Sequence, residues 1–348
     1  MKACVWGLRR ITALGLLWIT LAGQTGVVAQ EVSVSFEQML PFTDLLNEVS
    51  TRRRLTVYRP VLQSVYDGVP VAFVNTSRGN VTFLRTDLIE LGPTPIVIRR
   101  IYDSALSMGS DFGNTGWRLS IAETISLLAD GHYRYAGSTG AQILLKREAQ
   151  NLAAVRPELR SWNDMRFESA TALSVYYRNG LVKTFKLSGD GTTYRLRTVT
   201  HRDGSQVHLI YDAEERLMKV SAGALGVEVS RDEKGRITQF SATSGKQVRF
   251  AYAQGRLTTV LDLGGHAWKY DYDADNRLVS AHSPGGDPDL LIDYSMGGKV
   301  SAIRHNSSPV RFRYVPESDE PDVTMETIVS RENAGVLRYG HDRHGRTV

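Results

Sequence analysis

Cysteine is nearly absent. The 348-residue chain has one, Cys4, and it falls inside a stretch that reads as a removable leader. Without it the mature protein forms no disulfide, which excludes the disulfide-stapled secreted modules and leaves burial and hydrogen bonding to hold the fold. Catalytic signatures are missing as well. There is no Gly-x-Ser-x-Gly elbow, no phosphate-cradling glycine loop and no His-Glu-x-x-His helix. A strong charge of one sign is lacking too. The formal charge of +5 falls to +2 once Lys2, Arg9 and Arg10 leave with the leader, so the basic isoelectric point gives no argument for a nucleic-acid partner.

The leader itself has a basic start and then an uncharged, mostly apolar run from Ile11 to Gly23. Small residues follow at Val27-Val28-Ala29. That layout predicts a signal peptide over 1–29 and export; an uncleaved anchor is the alternative, although the run is short of the roughly 20 residues a span needs. Residues 30–60 read as a short amphipathic helical segment (Phe36, Met39, Leu40, Leu45, Leu46, Val49) and a basic link, Arg52-Arg53-Arg54. From about residue 61 the pattern is that of strands. Asp130-Gly131, Asn179-Gly180 and Asp203-Gly204 each separate short apolar-alternating runs, and such dipeptides favour the positive backbone angles of tight hairpins. Leu144–Leu159 breaks the pattern and predicts a short helix or a long loop.

The second half repeats itself. An apolar-x-apolar-x-Tyr cassette recurs as Val207-Leu209-Tyr211, Val248-Phe250-Tyr252, Trp268-Tyr270-Tyr272, Leu290-Ile292-Tyr294 and Val310-Phe312-Tyr314, with a weaker copy at Val227-Val229-Arg231. Period-two alternation marks half-buried strands, and the constant interval marks a repeat architecture. After each cassette come a polar turn, a basic residue and a second apolar strand. The basic residues Arg216, Arg236, Arg256, Arg277 and Lys299 are 20, 20, 21 and 22 residues apart. A lone hairpin is unstable in water, so these units are expected to pair edge to edge in one long sheet.

The Tyr-Asp-x-x-x-Arg-Leu form of these units, with Tyr211-Asp212, Tyr272-Asp273 and the partial copies at Tyr252 and Tyr294, resembles the YD repeat of the Rhs family, which also includes insecticidal toxin-complex shells and teneurins. Upstream, Arg100-Ile101-Tyr102-Asp103-Ser104 and Phe112-Gly113-Asn114-Thr115-Gly116-Trp117-Arg118 resemble the opening block of bacterial Rhs proteins. Together the two matches cover about residues 90–348. The resemblance implies an all-β fold, a sheet of repeated hairpins spiralling into a partial shell, with an opening domain over 61–200 and YD repeats over 201–348. In larger relatives such a shell encloses a C-terminal toxin, and family members are often suspected of binding carbohydrate. The sequence ends at His341-Asp342-Arg343-His344-Gly345-Arg346, within another repeat-like turn. Two functional expectations therefore stand together. One is an exported structural or interaction protein with a carbohydrate or cell-surface ligand; the other is the front of a toxin-delivery shell.

Candidate chemistry carries less weight. His341 and His344 lack a third metal ligand, and Asp271, Asp273, Asp287 and Asp289 read as solvated strand faces. Asp287-Pro288 reads as a loop between strands. The tyrosines and Trp268 could stack on sugar rings, but their fixed place in each unit favours sheet packing, and the basic ladder favours cross-strand ion pairing and turn packing. No catalysis, cofactor, metal or nucleic-acid partner is expected. An exposed sheet edge points to a second YD-repeat chain or to self-association.

Overall fold

The computed structural model describes residues 58–63, 70–106, 111–138, 142–155, 162–286, 288–304, 309–316, 323–331 and 335–342. Every regular element among them is a β-strand, so the all-β, repeated-hairpin class expected from the sequence is what the structure shows. The leader and the helical segment expected before residue 58 lie outside the described residues.

A first antiparallel sheet takes β1 (Tyr58–Gln63), β2 (Pro70–Asn75), β3 (Val81–Glu90), β4 (Ile96–Asp103) and β5 (Trp117–Leu119) in chain order. Its strands β2 and β3 fall within the stretch from about residue 61 that the sequence pattern reads as strands.

The second sheet begins with β6 (Thr124–Leu127), β7 (Tyr133–Ala136), β8 (Gln142–Glu148), β9 (Asn151–Ala154), β10 (Asp164–Ser169), β11 (Ala172–Tyr176), β12 (Val182–Leu187) and β13 (Thr193–Thr200). Each pairs with the next, and β13 returns to β6 through Thr193↔Ser126, Tyr194↔Ile125 and Arg195↔Thr124. The eight strands thus form a closed ring, whose interior at this strand number is filled by side chains. Aromatic contacts run across it, with Tyr133 on Phe167, Phe167 on Tyr194 and Tyr135 on both Trp162 and Phe185. A buried Lys183–Glu123 ion pair (Nζ to Oε1, 2.8 Å) sits among them, with the Tyr135 hydroxyl donating to the other carboxylate oxygen. The Asp130-Gly131 and Asn179-Gly180 hairpins join β6 to β7 and β11 to β12. The segment from Leu144 corrects the sequence reading: where described it is neither helix nor loop but the β8–β9 hairpin, turning at Ala149 (φ 55°).

Strand β13 belongs to two structures. Its start pairs with β6 and its end, Thr198–Thr200, pairs with β14 (Gln206–Tyr211) through the Asp203-Gly204 turn. From there the sheet runs on through β15 (Leu217–Ala222), β16 (Leu225–Arg231), β17 (Ile237–Ala242), β18 (Gln247–Ala253), β19 (Arg256–Leu261), β20 (Ala267–Tyr272), β21 (Leu278–His282), β22 (Pro288–Tyr294), β23 (Val300–Arg304), β24 (Val310–Pro316), β25 (Met325–Arg331) and β26 (Gly335–His341). The alternation is kept: Val207, Leu209, Val248, Phe250, Val310 and Phe312 are buried while their neighbours face outward. Five of the six cassettes carry a register shift at the same place, between Ile210 and Tyr211, Ser230 and Arg231, Ala251 and Tyr252, Asp271 and Tyr272, and Asp293 and Tyr294, whereas the cassette on β24 pairs with β25 without one. A bulge of this kind bends its strand and increases the local twist, so its regular recurrence curves the sheet in one direction. The buried face is covered by the first sheet, with β3 and β4 against β15, β16 and β18.

Candidate functional site

The residues that define each repeat work as one turn device. In Tyr211-Asp212…Arg216, the Asp212 carboxylate accepts from the backbone N–H groups of Glu214 and Arg216 and from the Arg216 guanidinium at 2.7 Å. Asp232–Arg236 and Asp273–Arg277 repeat the arrangement. The acidic partner lies in the same turn, four residues before the arginine, rather than across a strand. Desolvation pushes Asp212 and Asp232 up, but the N–H donors and the guanidinium outweigh it and hold both below the usual carboxylate range. The residue before each basic side chain has positive φ: Glu215, Gly235, Gly255, Asn276 and Gly298.

The basic residue then reaches forward to the next unit. Arg236 lies over the Tyr252 ring at 4.4 Å, Arg277 over Tyr294 at 4.8 Å and Lys299 over Tyr314 at 4.8 Å. The tyrosine hydroxyl reaches back. Tyr211 donates to the Leu196 carbonyl, Tyr252 to Ile237, Tyr272 to Leu257 and Tyr294 to Leu278, 15 or 16 residues upstream. Burial pushes all four phenols above their usual range. Arg231 fills the tyrosine place in the weak copy and keeps the bond, donating to the Leu217 carbonyl at 3.3 Å. Its second nitrogen reaches Asp111 at 2.8 Å. Arg256 contributes backbone instead, bridging to Gly113.

The opening block is set against the same places. The Ile237 N–H donates to the Asp111 carbonyl at 2.7 Å, Leu278 N–H to the Tyr102 hydroxyl at 2.8 Å and Val300 N–H to the Gly79 carbonyl at 2.8 Å. These three residues hold equivalent positions, each directly after the basic residue of its unit. Trp117 donates through Nε1 to the Tyr272 hydroxyl at 2.9 Å, and Asn114 N–H donates to the Gly255 carbonyl. Ser104 exchanges bonds with Val81, and its hydroxyl and that of Tyr102 partly offset the rise in the Tyr294 pKa that burial causes. Arg100 is fully buried, bidentate to Asp87 at 2.6 and 2.8 Å, within 3.3 Å of the Tyr270 hydroxyl and 4.7 Å above Trp117. Desolvation alone would lower its pKa, yet Asp87 and Tyr270 hold it above the usual range. Two glycines allow the approach. At Gly113 (φ +82°) an added Cβ would stand 2.1 Å from the Gly255 carbonyl oxygen, and at Gly116 (φ +72°) 2.5 Å from that of Asp103. The opening-block residues therefore meet the repeat residues in one continuous interface.

One constellation escaped the sequence reading. Ser280 and His282 alternate on β21, and Asp271 lies opposite Ser280 on β20. Ser280 Oγ donates to Asp271 Oδ2 at 2.6 Å, while His282 Nε2 is 2.9 Å from Ser280 and 3.0 Å from the same carboxylate oxygen. A hydrolytic triad needs the imidazole between serine and carboxylate. Here the carboxylate engages the serine directly, and the cluster ties β20 to β21. The Ser-x-His spacing was visible in sequence; the cross-strand register that supplies Asp271 was not. Asp273 and Asp293 line a shallow cavity of about 450 Å³ beside it. Among the described residues no group of three or more His, Cys, Asp or Glu is placed to hold a metal. His341 is buried on β26, whereas His344, Asp287 and the last residues of the chain lie outside the described residues.

Two family models match parts of the chain. Residues 171–304 match the family model described as teneurin YD-shell, and residues 72–145 match the one described as domain of unknown function (DUF6531). Two curated proteins of Dickeya dadantii (strain 3937), the probable deoxyribonucleases RhsB and RhsA, are 25% and 27% identical over 250 residues. The match spans 64% of this chain and 17% of the length of each relative. Among solved structures, the TcdB2–TccC3–Cdc42 crystal structure aligns with 80% of this chain and 22% of that one, at 11% identity and a TM-score of 0.32. TcdB2–TccC3 without its hypervariable C-terminal region aligns with 86% and 20%, at 13% identity and a TM-score of 0.33.

Proposed function

Since this chain is a member of the Rhs/YD-repeat family, matched over part of its length, we propose that it serves as a non-enzymatic wall segment of an exported, toxin-related shell. The observation that carries the proposal is the use to which the repeat residues are put. The Tyr252 and Tyr294 faces that would stack on sugars lie under arginine side chains, and their hydroxyls are spent on backbone carbonyls. In the Arg216, Arg236 and Arg277 turns the acidic and basic groups satisfy one another. The surface most densely built with functional side chains faces the opening block and is consumed in closing the wall. Export is supported by the basic-then-apolar leader of residues 1–29.

The deoxyribonuclease names of the Dickeya dadantii relatives belong to proteins of which this chain matches a small part. The purified chain is accordingly proposed to leave DNA intact. Incubation of residues 30–348 with supercoiled plasmid and magnesium should give no nicking above buffer; steady turnover would overturn the non-enzymatic reading. Sequencing beyond codon 348 tests the shell reading separately. Further YD units followed by a distinct C-terminal domain support it, and a stop codon followed by an unrelated gene contradicts it.

A further inference from the structure

One unit departs from the turn device in both its acidic residue and the tyrosine that follows. After Tyr294 the aspartate position is held by Ser295, whose hydroxyl bonds to the Lys299 carbonyl instead of to a cationic side chain. Lys299 therefore has no carboxylate among the described residues. Its ammonium lies 4.8 Å from the centre of the Tyr314 ring and 3.5 Å from the Met325 thioether, a weak acceptor. The lysine stem cannot swing away freely. It lies against Gly79, where an added Cβ would come within 2.6 Å of Lys299 Cβ.

The tyrosine of the next unit is also incomplete. Tyr211, Tyr252, Tyr272 and Tyr294 all donate to an upstream carbonyl, but the Tyr314 hydroxyl is buried with no hydrogen-bond partner. A buried hydroxyl without a partner is costly, of the order of 1–3 kcal/mol. The Arg256 unit also lacks the aspartate, having Ala253 there, yet its tyrosine Tyr272 keeps its bond to Leu257. Among the described residues, only at Lys299 do the missing carboxylate and the unsatisfied hydroxyl coincide. They coincide at a cavity of about 420 Å³, with Phe312, Pro316 and Met325 as its apolar wall. That volume lies within the range of small-ligand sites.

We propose that this cavity binds a carboxylate carrying a short apolar flank. One oxygen accepts from the Lys299 ammonium, as the turn aspartate accepts from arginine in neighbouring units, and the other accepts from the Tyr314 hydroxyl. The flank lies along Phe312, Pro316 and Met325. A charge-assisted bond to each oxygen gives the site its preference for an acid over its amide. The shared chemistry admits two sources, a glutamate side chain in a peptide, whose methylenes form the flank, and a sugar acid, whose ring C–H face forms it.

Met325 supplies the reporter. The full chain, labelled with ¹³C at its methionine methyls and with Met325 identified by substitution with leucine, is titrated with N-acetylglutamate α-amide, glucuronate and, as a neutral control, N-acetylglutamine amide. The Met325 methyl resonance should move saturably with at least one acid and stay in place with the control. Response to the first acid alone assigns a peptide source, and response to the second alone a sugar acid. Lys299→Met should weaken binding about tenfold and Tyr314→Phe about threefold, as expected for loss of a charged and a neutral donor. Absence of any saturable shift, equal shifts with the neutral control, or unchanged binding in folded Lys299→Met would each overturn the proposal. If Lys299→Met does not fold, Tyr314→Phe and the acid-against-amide comparison on the natural sequence decide it.

Discussion

At the residue scale, two tyrosines in the same repeat position differ in one bond. The Tyr252 hydroxyl donates to the Ile237 carbonyl, whereas the Tyr314 hydroxyl is unpartnered. Tyr252→Phe should therefore cost about 1 kcal/mol, because it leaves a carbonyl unpaired, while Tyr314→Phe should be neutral or slightly stabilising. Urea midpoints of the two variants measure the difference, and equal losses would contradict it. Acid should act through a few groups. Burial holds His201 and His341 below the usual histidine pKa, and the turn donors hold Asp212 and Asp232 below the usual carboxylate value. A group depressed in the folded state binds protons more readily when unfolded. Its contribution is complete above the unfolded pKa and is lost as pH falls towards the folded one. Stability should thus decline first as pH drops below about 6.5, through the histidines, and again below about 4, through the aspartates. A urea midpoint that rises or stays level between pH 7.5 and 3.5 would contradict this. At this scale the sequence showed that Arg216, Arg236 and Arg277 have acidic neighbours, but not that each pairs within its own turn and stacks or reaches beyond it. Side-chain direction out of a tight turn cannot be read from spacing alone.

At the element scale, turns were the most legible feature. Asp130-Gly131, Asn179-Gly180 and Asp203-Gly204 all close hairpins, because a positive φ is needed at the second position and glycine supplies it without steric cost. The same need recurs before every basic residue of the repeats. Gly235→Val should cost about 1–2 kcal/mol through backbone strain alone, since its φ of +78° is unfavourable for a branched side chain. Thermal unfolding against Gly235→Asn, which tolerates that conformation, isolates the effect; equal losses would contradict it. The β8–β9 hairpin was the illegible element. Glu148, Gln150, Leu152, Ala153 and Ala154 are helix formers or neutral in strands, but pairing with β7 and β10 overrides local preference once the ring closes.

At the scale of the molecule, period-two alternation and the twenty-residue interval revealed a repeated-hairpin sheet, but not how its ends are managed. The β13–β6 pairing joins residues 67 positions apart, as at Thr193 and Ser126, and no local pattern announces it. The clamp formed by the opening block was visible only as a resemblance. In the structure it has a physical content: Asp111, Tyr102 and Gly79 complete the hydrogen bonding of the Arg236, Arg277 and Lys299 repeats, while Trp117 and Arg100 fill the space between them. Leaving such N–H groups unpaired in an apolar interior is costly, so block and repeats should be stable together or not at all.

Amide hydrogen exchange on the natural chain and on Gly113→Val tests that claim directly. The added side chain would meet the Gly255 carbonyl and force the block off the repeats. The account predicts that the amides of Ile237, Leu278 and Val300 lose protection together with those of β3, β4 and β5. Repeats that keep their protection while β3, β4 and β5 exchange freely would contradict it.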